Sequence, residues 1–215
     1  MLNRYARAFF TRVFTPIAEG LLKLGVSPDA VTLVGTIGVV VGALVFYPRG
    51  EFFVGTVVIT AFIFSDLLDG TMARISERTS KWGAFLDSTL DRLGDAAVFG
   101  GLAYWFARGG NQPVLFVVCL ACLSFGAVVS YARARAEGLG VLKFKAGVME
   151  RADRLVVGLV ATGLSGLGVS YIQAVALWTI AIGSFITMVQ RVLHVRKVLL
   201  TDAVPSTEIN AEGSA

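Results

Sequence analysis

From residue 31 to residue 197 the chain alternates long apolar stretches with short polar turns. Six stretches stand out, at about 31–47, 52–74, 83–106, 112–136, 152–168 and 171–197. A hydrocarbon core about 30 Å thick takes ~20 helical residues to cross. The pattern therefore predicts an all-α membrane protein with six transmembrane helices, of which 152–168 is short and glycine-rich. Upstream, residues 4–24 carry Phe10, Phe14, Ile17, Leu21 and Leu24 at three- and four-residue spacing among Arg4, Arg7, Arg12, Glu19 and Lys23. That spacing predicts an amphipathic helix in the membrane interface over 1–24, not a signal peptide, since no apolar core leads to a cleavage site. Gly25 breaks this helix, and Ser27-Pro28 starts the first span, with Ser27 as N-cap and Pro28 at the first helical position. Residues 25–200 form the transmembrane domain, and the polar, aperiodic tail 201–215 is expected to be disordered.

Composition sharpens this picture. Of 215 residues, 55% are hydrophobic and only 16% charged, with mean hydropathy +0.73, which excludes an ordinary soluble domain. The net charge of +4 points to a membrane surface and not to nucleic acid, because the basic residues sit at the ends of spans. Six spans put both termini on one side, and that side holds every Lys and Arg of the 19 except Arg49 and Arg108. The positive-inside rule makes it the cytosol. Cys119 and Cys122 lie in an apolar run and read as small packing residues. Gly35, Gly38 and Gly42 on the first span allow close helix approach, within one chain or between two.

One stretch defies its surroundings. Residues 65–91, SDLLDGTMARISERTSKWGAFLDSTLD, place Asp66, Asp69, Asp87 and Asp91 on spans two and three. Each charge at the centre of a span costs roughly 2.5–3.5 kcal/mol, so four uncompensated acids would cost about 10 kcal/mol. Asp66 and Asp69 share a helix face that Gly70 and Ala73 continue, while Gly83, Asp87 and Asp91 step by four along one stripe. Spans two and three form a hairpin whose turn is cytosolic, so the two stripes face each other within about 12 Å of that turn. Carboxylates without His or Cys suit Mg²⁺, Mn²⁺ or Ca²⁺, and four can hold two ions about 3.5–4 Å apart. Such a pair clamps a phosphoryl group. Gly70, Ala73 and Gly83 leave room for a bulky ligand, Arg74 can neutralise a diphosphate, and the N-terminus of span three aims its positive end at the same place. Asp91 is the candidate general base, and Asp95, one turn deeper, reads as a hydrogen-bonded packing residue. A purely structural alternative pairs these acids with Arg74, Arg92, Arg133 and Arg135. A divalent-cation transporter would need an acid ladder continuing toward Arg49 and Arg108, and none follows.

The cytosolic ends of spans four to six carry a second group of charges. Arg133, Arg135, Arg151, Arg154 and Arg191 can converge beside the acids and bind an acceptor that itself bears a phosphate. Lys143, Lys145, Arg196 and Lys197 read as contacts to anionic lipid. His194 has no chemistry assigned.

Asp66-x-x-Asp69-Gly70-x-x-Ala73-Arg74, followed by Gly83-x-x-x-Asp87-x-x-x-Asp91, resembles in every fixed position the signature of the CDP-alcohol phosphotransferases. The resemblance implies transfer of a phosphatidyl group from CDP-diacylglycerol to an alcohol, with release of CMP. It implies two divalent ions, Mg²⁺ or Mn²⁺, on Asp66, Asp69, Asp87 and Asp91, with Asp91 also the base. It further implies that CDP-diacylglycerol is held by Pro28, Asp29 and Thr32 together with Asp69, Gly70, Ala73, Arg74 and Gly83. The family's six-helix homodimer has an N-terminal juxtamembrane helix, as read here, and the site would face the cytosol at a bacterial cytoplasmic membrane. Looser segments, TPIAEGLLKLGVSPDAVT, SYARARAEG, MERADRL and VQRVLHV, are similar to members that accept inositol phosphate. Glycerol 3-phosphate is the alternative acceptor.

Overall fold

The computed structural model describes residues 14–76, 80–141 and 147–202. The first half of the amphipathic helix, most of the tail, part of the hairpin turn, and Lys143 and Lys145 lie outside the described residues. Residues 14–23 are helical and form α1. Then come α2 (Pro28–Phe46, extended by a 3₁₀ turn over Tyr47–Arg49), α3 (Phe52–Ile63), α4 (Ser65–Ile75), α5 (Lys81–Arg108), α6 (Pro113–Glu137), α7 (Arg151–Gly166) and α8 (Ile172–Asp202). No strand occurs among the described residues.

The predicted start of the first span holds in detail. Gly25, at φ +79°, closes α1 in the left-handed region while its N–H donates to Leu22 O and that of Val26 to Leu21 O. Two residues on, the Ala30 N–H donates to Ser27 Oγ at 3.2 Å, and Pro28 opens α2. The second predicted span, 52–74, is not one rod. It breaks at Phe64, where the Ser65 hydroxyl donates to Phe62 O at 2.6 Å and α4 sets off anew.

The helices close a ring: α2 packs on α5, α5 on α6, α6 on α8, α8 on α7, α7 on α3, and α3 back on α2. The interior is filled by residues such as Tyr47, Ile59, Leu102, Cys119, Cys122, Leu177 and Ile180, all essentially buried. Both cysteines are packing residues, as their setting in the sequence predicts. The small residues of α2 serve this ring and not an outside surface. A Cβ on Gly38 would fall 2.2 Å from the Phe62 ring, and one on Gly35 only 1.8 Å from Ser65 Oγ.

The outer face is apolar, with Leu33, Ile37, Val41, Val117 and Ile182 exposed, which suits lipid as the surroundings. Among the described residues, four helical runs are long and apolar enough to cross a membrane: Pro28–Arg49, Phe52–Ile75 (α3 continued by α4), Pro113–Glu137 and Ile172–Thr201. The other two predicted spans fall short of that measure for different reasons. At 16 residues α7 is brief, whereas α5 has 28 residues but carries Asp87, Asp91, Arg92 and Asp95 between its seventh and fifteenth positions.

Candidate active site

Three helix N-termini meet at one end of the ring. The first turns of α2 and α5 and the first residue of α7 border a cavity of ≈ 370 Å³, whose remaining wall is α4. Helix N-termini carry unsatisfied N–H groups and a partial positive charge, so this end of the bundle favours an anion. Ser80 caps α5 by accepting from the Gly83 N–H at 2.9 Å.

From α2 come Pro28, Asp29 and Thr32, from α4 Asp69, Gly70 and Ala73, and from α5 Gly83, Asp87 and Asp91. Thus Asp69, Asp87 and Asp91 of the signature line one cavity with the small residues between them, while the side chain of Asp66 lies outside the described residues. Asp66 lies on α4 one turn before Asp69. Asp29 sits beside Gly83, its carboxylate 3.6 Å from where a Gly83 Cβ would stand. The Thr32 hydroxyl donates to Asp69 Oδ2 at 2.5 Å, with Pro28 O a longer secondary acceptor at 3.2 Å. Ser80 and Ala84 also line the cavity. Sequence reasoning passed over both, although a serine three residues before a glycine at a helix start is a capping signal that marks Ser80.

Arg74 stands apart. It is exposed and folds back along α4, donating from Nε to Gly70 O at 2.9 Å and from Nη2 to Thr71 Oγ1 at 3.2 Å.

The five arginines of spans four to six divide into separate groups. Arg151 is at the cavity wall, with Nη2 2.8 Å from Asp91 Oδ1 and Nε 3.3 Å from Asp95 Oδ1. Arg154, 1% exposed, lies behind it with Nη2 3.9 Å from Asp95 Oδ2. Gly126 on α6 makes space for that guanidinium, since a Cβ there would stand 3.2 Å from its Nε. Arg191 belongs to another cluster. It donates to Val129 O at 2.7 Å and grips both oxygens of Glu150 at 2.9 and 2.7 Å. Burial alone would raise the Glu150 carboxyl, but the Gly147 N–H and the Arg191 guanidinium outweigh it and hold it below the usual range. Arg133 pairs with Glu137 at 2.8 Å on the exposed side of α6, and Arg135 is exposed on the same helix.

The purely structural alternative is therefore realised in part. Asp91 faces Arg151 and Arg92, the latter at 3.2 Å, while Asp69 takes the Thr32 hydroxyl. Among the described residues, no three acid, His or Cys side chains are drawn together as an ion's ligand set. The carboxylates surround a space instead of closing on a point, and among the described residues the side chains there able to ligate a metal offer oxygen alone, with no His or Cys. That donor set fits hard divalent cations.

Comparison with known proteins agrees with this geometry. The sequence profile of the CDP-alcohol phosphatidyltransferases matches residues 25–149. A phosphatidylinositol phosphate synthase of Streptomyces avermitilis is 56% identical across 100% of this chain and 91% of its own length. That of Mycolicibacterium smegmatis is 44% identical over 91% of this chain and 90% of its own. Among solved structures, the Mycobacterium tuberculosis phosphatidylinositol phosphate synthase with CDP-DAG bound superposes with a TM-score of 0.80 at 41% identity, covering 86% of this chain and 94% of that one. The same synthase in complex with manganese and citrate also gives 0.80 at 41% identity, covering 85% and 88%.

Proposed function

Because the chain belongs to the CDP-alcohol phosphatidyltransferase family, we propose that it transfers the phosphatidyl group of CDP-diacylglycerol to inositol phosphate, giving phosphatidylinositol phosphate and CMP. The observation that carries this choice of acceptor is the end-to-end likeness to phosphatidylinositol phosphate synthases, which extends past the signature through the arginine-bearing ends of α6, α7 and α8.

In this reading Asp66, Asp69, Asp87 and Asp91 hold two divalent cations, Mg²⁺ or Mn²⁺. When bound, such ions neutralise charge on the phosphoryl oxygens. The chain's own groups do the rest. Pro28, Asp29 and Thr32 with Gly70, Ala73 and Gly83 shape the space for the CDP headgroup, where a larger side chain would fill it. Arg74 completes the diphosphate contacts by leaving Gly70 O. Of the five arginines assigned to the acceptor's phosphate, Arg151 is already at the cavity wall; Arg133, Arg154 and Arg191 join it only by leaving the contacts described above, and Arg135 only by turning in from the exposed side of α6. Asp91 accepts the proton of the acceptor hydroxyl as its oxygen bonds to the lipid-side phosphorus and the bond from that phosphorus to the CMP oxygen breaks.

The same reading places six spans in a bacterial cytoplasmic membrane: α2, α3 with α4, α5, α6, α7 and α8. Both termini and the cavity face the cytosol, which the distribution of Lys and Arg supports, α1 lies in the interface, and the enzyme is a homodimer. The deciding experiment supplies purified protein with CDP-diacylglycerol, Mn²⁺ and, separately, inositol phosphate, glycerol 3-phosphate or free inositol. CMP release with inositol phosphate in clear preference is the expected result. Release only with glycerol 3-phosphate, or equally with all three, would refute the acceptor.

A further inference from the structure

Asp95 is absent from the family signature matched above, yet it is where the arginines near the cavity meet. It continues the stripe of Gly83, Asp87 and Asp91 by one more turn of α5 and is 7% exposed. Arg151 approaches Oδ1 at 3.3 Å, Arg92 Nε approaches Oδ2 at 3.8 Å, and Arg154 Nη2 approaches Oδ2 at 3.9 Å. Asp95 does not line the cavity. With three guanidinium groups around it, its carboxylate is already compensated by protein, and a divalent ion brought there would be repelled by those neighbours. Metal binding is thus the wrong role for it.

The geometry of Arg151 suggests the right one. Its Nη2 is on Asp91 and its Nε on Asp95, so one edge of the guanidinium spans two carboxylates a helical turn apart. Nη1 lies outside those contacts. The Asp91 Oδ1 that Arg151 holds is an oxygen of a residue assigned both metal and base duties, so Arg151 competes for it with a cation or a proton. Once Asp91 is engaged elsewhere, Asp95 is the contact that keeps Arg151 at the wall. Behind it, Arg154 has Nη1 and Nη2 buried without a hydrogen-bond partner, so its charge also depends on the carboxylate 3.9 Å away.

We propose that Asp95 is a positioning residue for the acceptor's phosphate, acting by pinning Arg151 and balancing Arg154 so that Arg151 remains at the cavity when Asp91 turns to catalysis. This rests on the reading that the acceptor is phosphorylated and that Arg151 contacts it.

The test uses the full-length enzyme in detergent, with CMP release as the kinetic readout and Mn²⁺ binding measured separately by electron paramagnetic resonance. Asp95→Asn should raise the KM for inositol phosphate by tenfold or more, leaving the KM for CDP-diacylglycerol and the Mn²⁺ affinity within about twofold. Asp95→Glu, which keeps the charge one methylene away, should fall between the two. In an Arg151→Gln background, Asp95→Asn should add less than twofold, since its effect runs through Arg151. A wild-type acceptor KM in Asp95→Asn, a parallel loss of Mn²⁺ affinity, or a full multiplicative effect on top of Arg151→Gln would each overturn the proposal. If Asp95→Asn does not fold, Asp95→Glu decides: a raised acceptor KM supports the role and an unchanged one overturns it. Wild-type activity with glycerol 3-phosphate alone would fail the acceptor assignment but not this inference, whose test then runs on that acceptor. Activity with free inositol alone would end both.

Discussion

Thr32 on α2 donates its hydroxyl proton to Asp69 on α4 at 2.5 Å, joining the start of the first span to the signature acids 37 residues later. The bond is buried and ends on a carboxylate, a combination worth about 1.5–3 kcal/mol. Thr32→Val keeps the shape and removes the donor. It should weaken the apparent Mn²⁺ affinity and lower kcat/KM by about tenfold or more at limiting metal, with partial recovery at excess Mn²⁺. A metal titration of the activity checks this, and an unchanged Mn²⁺ midpoint would count against any role for Thr32 in setting Asp69.

Gly35 controls how closely α2 and α4 approach. A methyl group there collides with Ser65 at the break between α3 and α4, and overpacking of this kind costs about 1–3 kcal/mol. Gly35→Ala should lower the thermal midpoint and the activity together, because α4 carries Asp66 and Asp69. Adding Ser65→Gly in the same chain should restore much of both. Thermal unfolding in detergent and CMP release measure the pair.

These two contacts also show how much of the molecule was legible beforehand. The stripe of Asp87 and Asp91 follows from helical periodicity and the cap at Ser27 from capping preference, both local; the predicted hairpin of spans two and three does not form by direct packing, since α4 and α5 each pack on α2 and meet only across the cavity. The break at Phe64 does not follow from local pattern, since residue 64 is neither glycine nor proline; there the Ser65 hydroxyl turns back to Phe62 O beside a glycine 30 residues earlier. The turn of Gly35 and Gly38 inward is likewise a choice among neighbours that one strand of sequence leaves open. For the arginines the limit was partner identity. Arg191 meets Glu150, 41 residues away, and Arg151 meets Asp91 and Asp95, pairings that periodicity on single helices does not specify. Arg74 curls onto its own helix, where spacing alone would aim it at the diphosphate.

Glu150 fastens α7 to α8 through Arg191 and to its own loop through the Gly147 N–H at 2.7 Å. Its carboxyl is held below the ordinary glutamate value of about 4.3, so the stabilisation is complete above that value and is lost as pH falls through the lower folded one. Glu150→Gln should destabilise the protein by about 1–3 kcal/mol at neutral pH, as it leaves a buried guanidinium with a weaker partner. The gap in thermal midpoint between wild type and variant should narrow on acidification below pH ~4. A gap that stays constant with pH would contradict the pairing.

The arrangement of spans can be read by labelling. Cys119 and Cys122 are buried and free, so a membrane-impermeant maleimide should leave the folded wild-type protein unmodified. In intact cells Gln112→Cys, on the loop between α5 and α6, should label, whereas Lys81→Cys, at the start of α5, should label only after lysis. The reverse pattern would put the cavity on the outside.

The central claim is that the carboxylates of this cavity perform the transfer, with Asp91 taking the proton. The most direct measurement compares CMP release by wild type and Asp91→Asn at saturating CDP-diacylglycerol, inositol phosphate and Mn²⁺. Wild type should release CMP in step with phosphatidylinositol phosphate, and Asp91→Asn should be slower by about 10²–10⁴-fold, the usual worth of a positioned base. Turnover by Asp91→Asn at the wild-type rate would contradict the account.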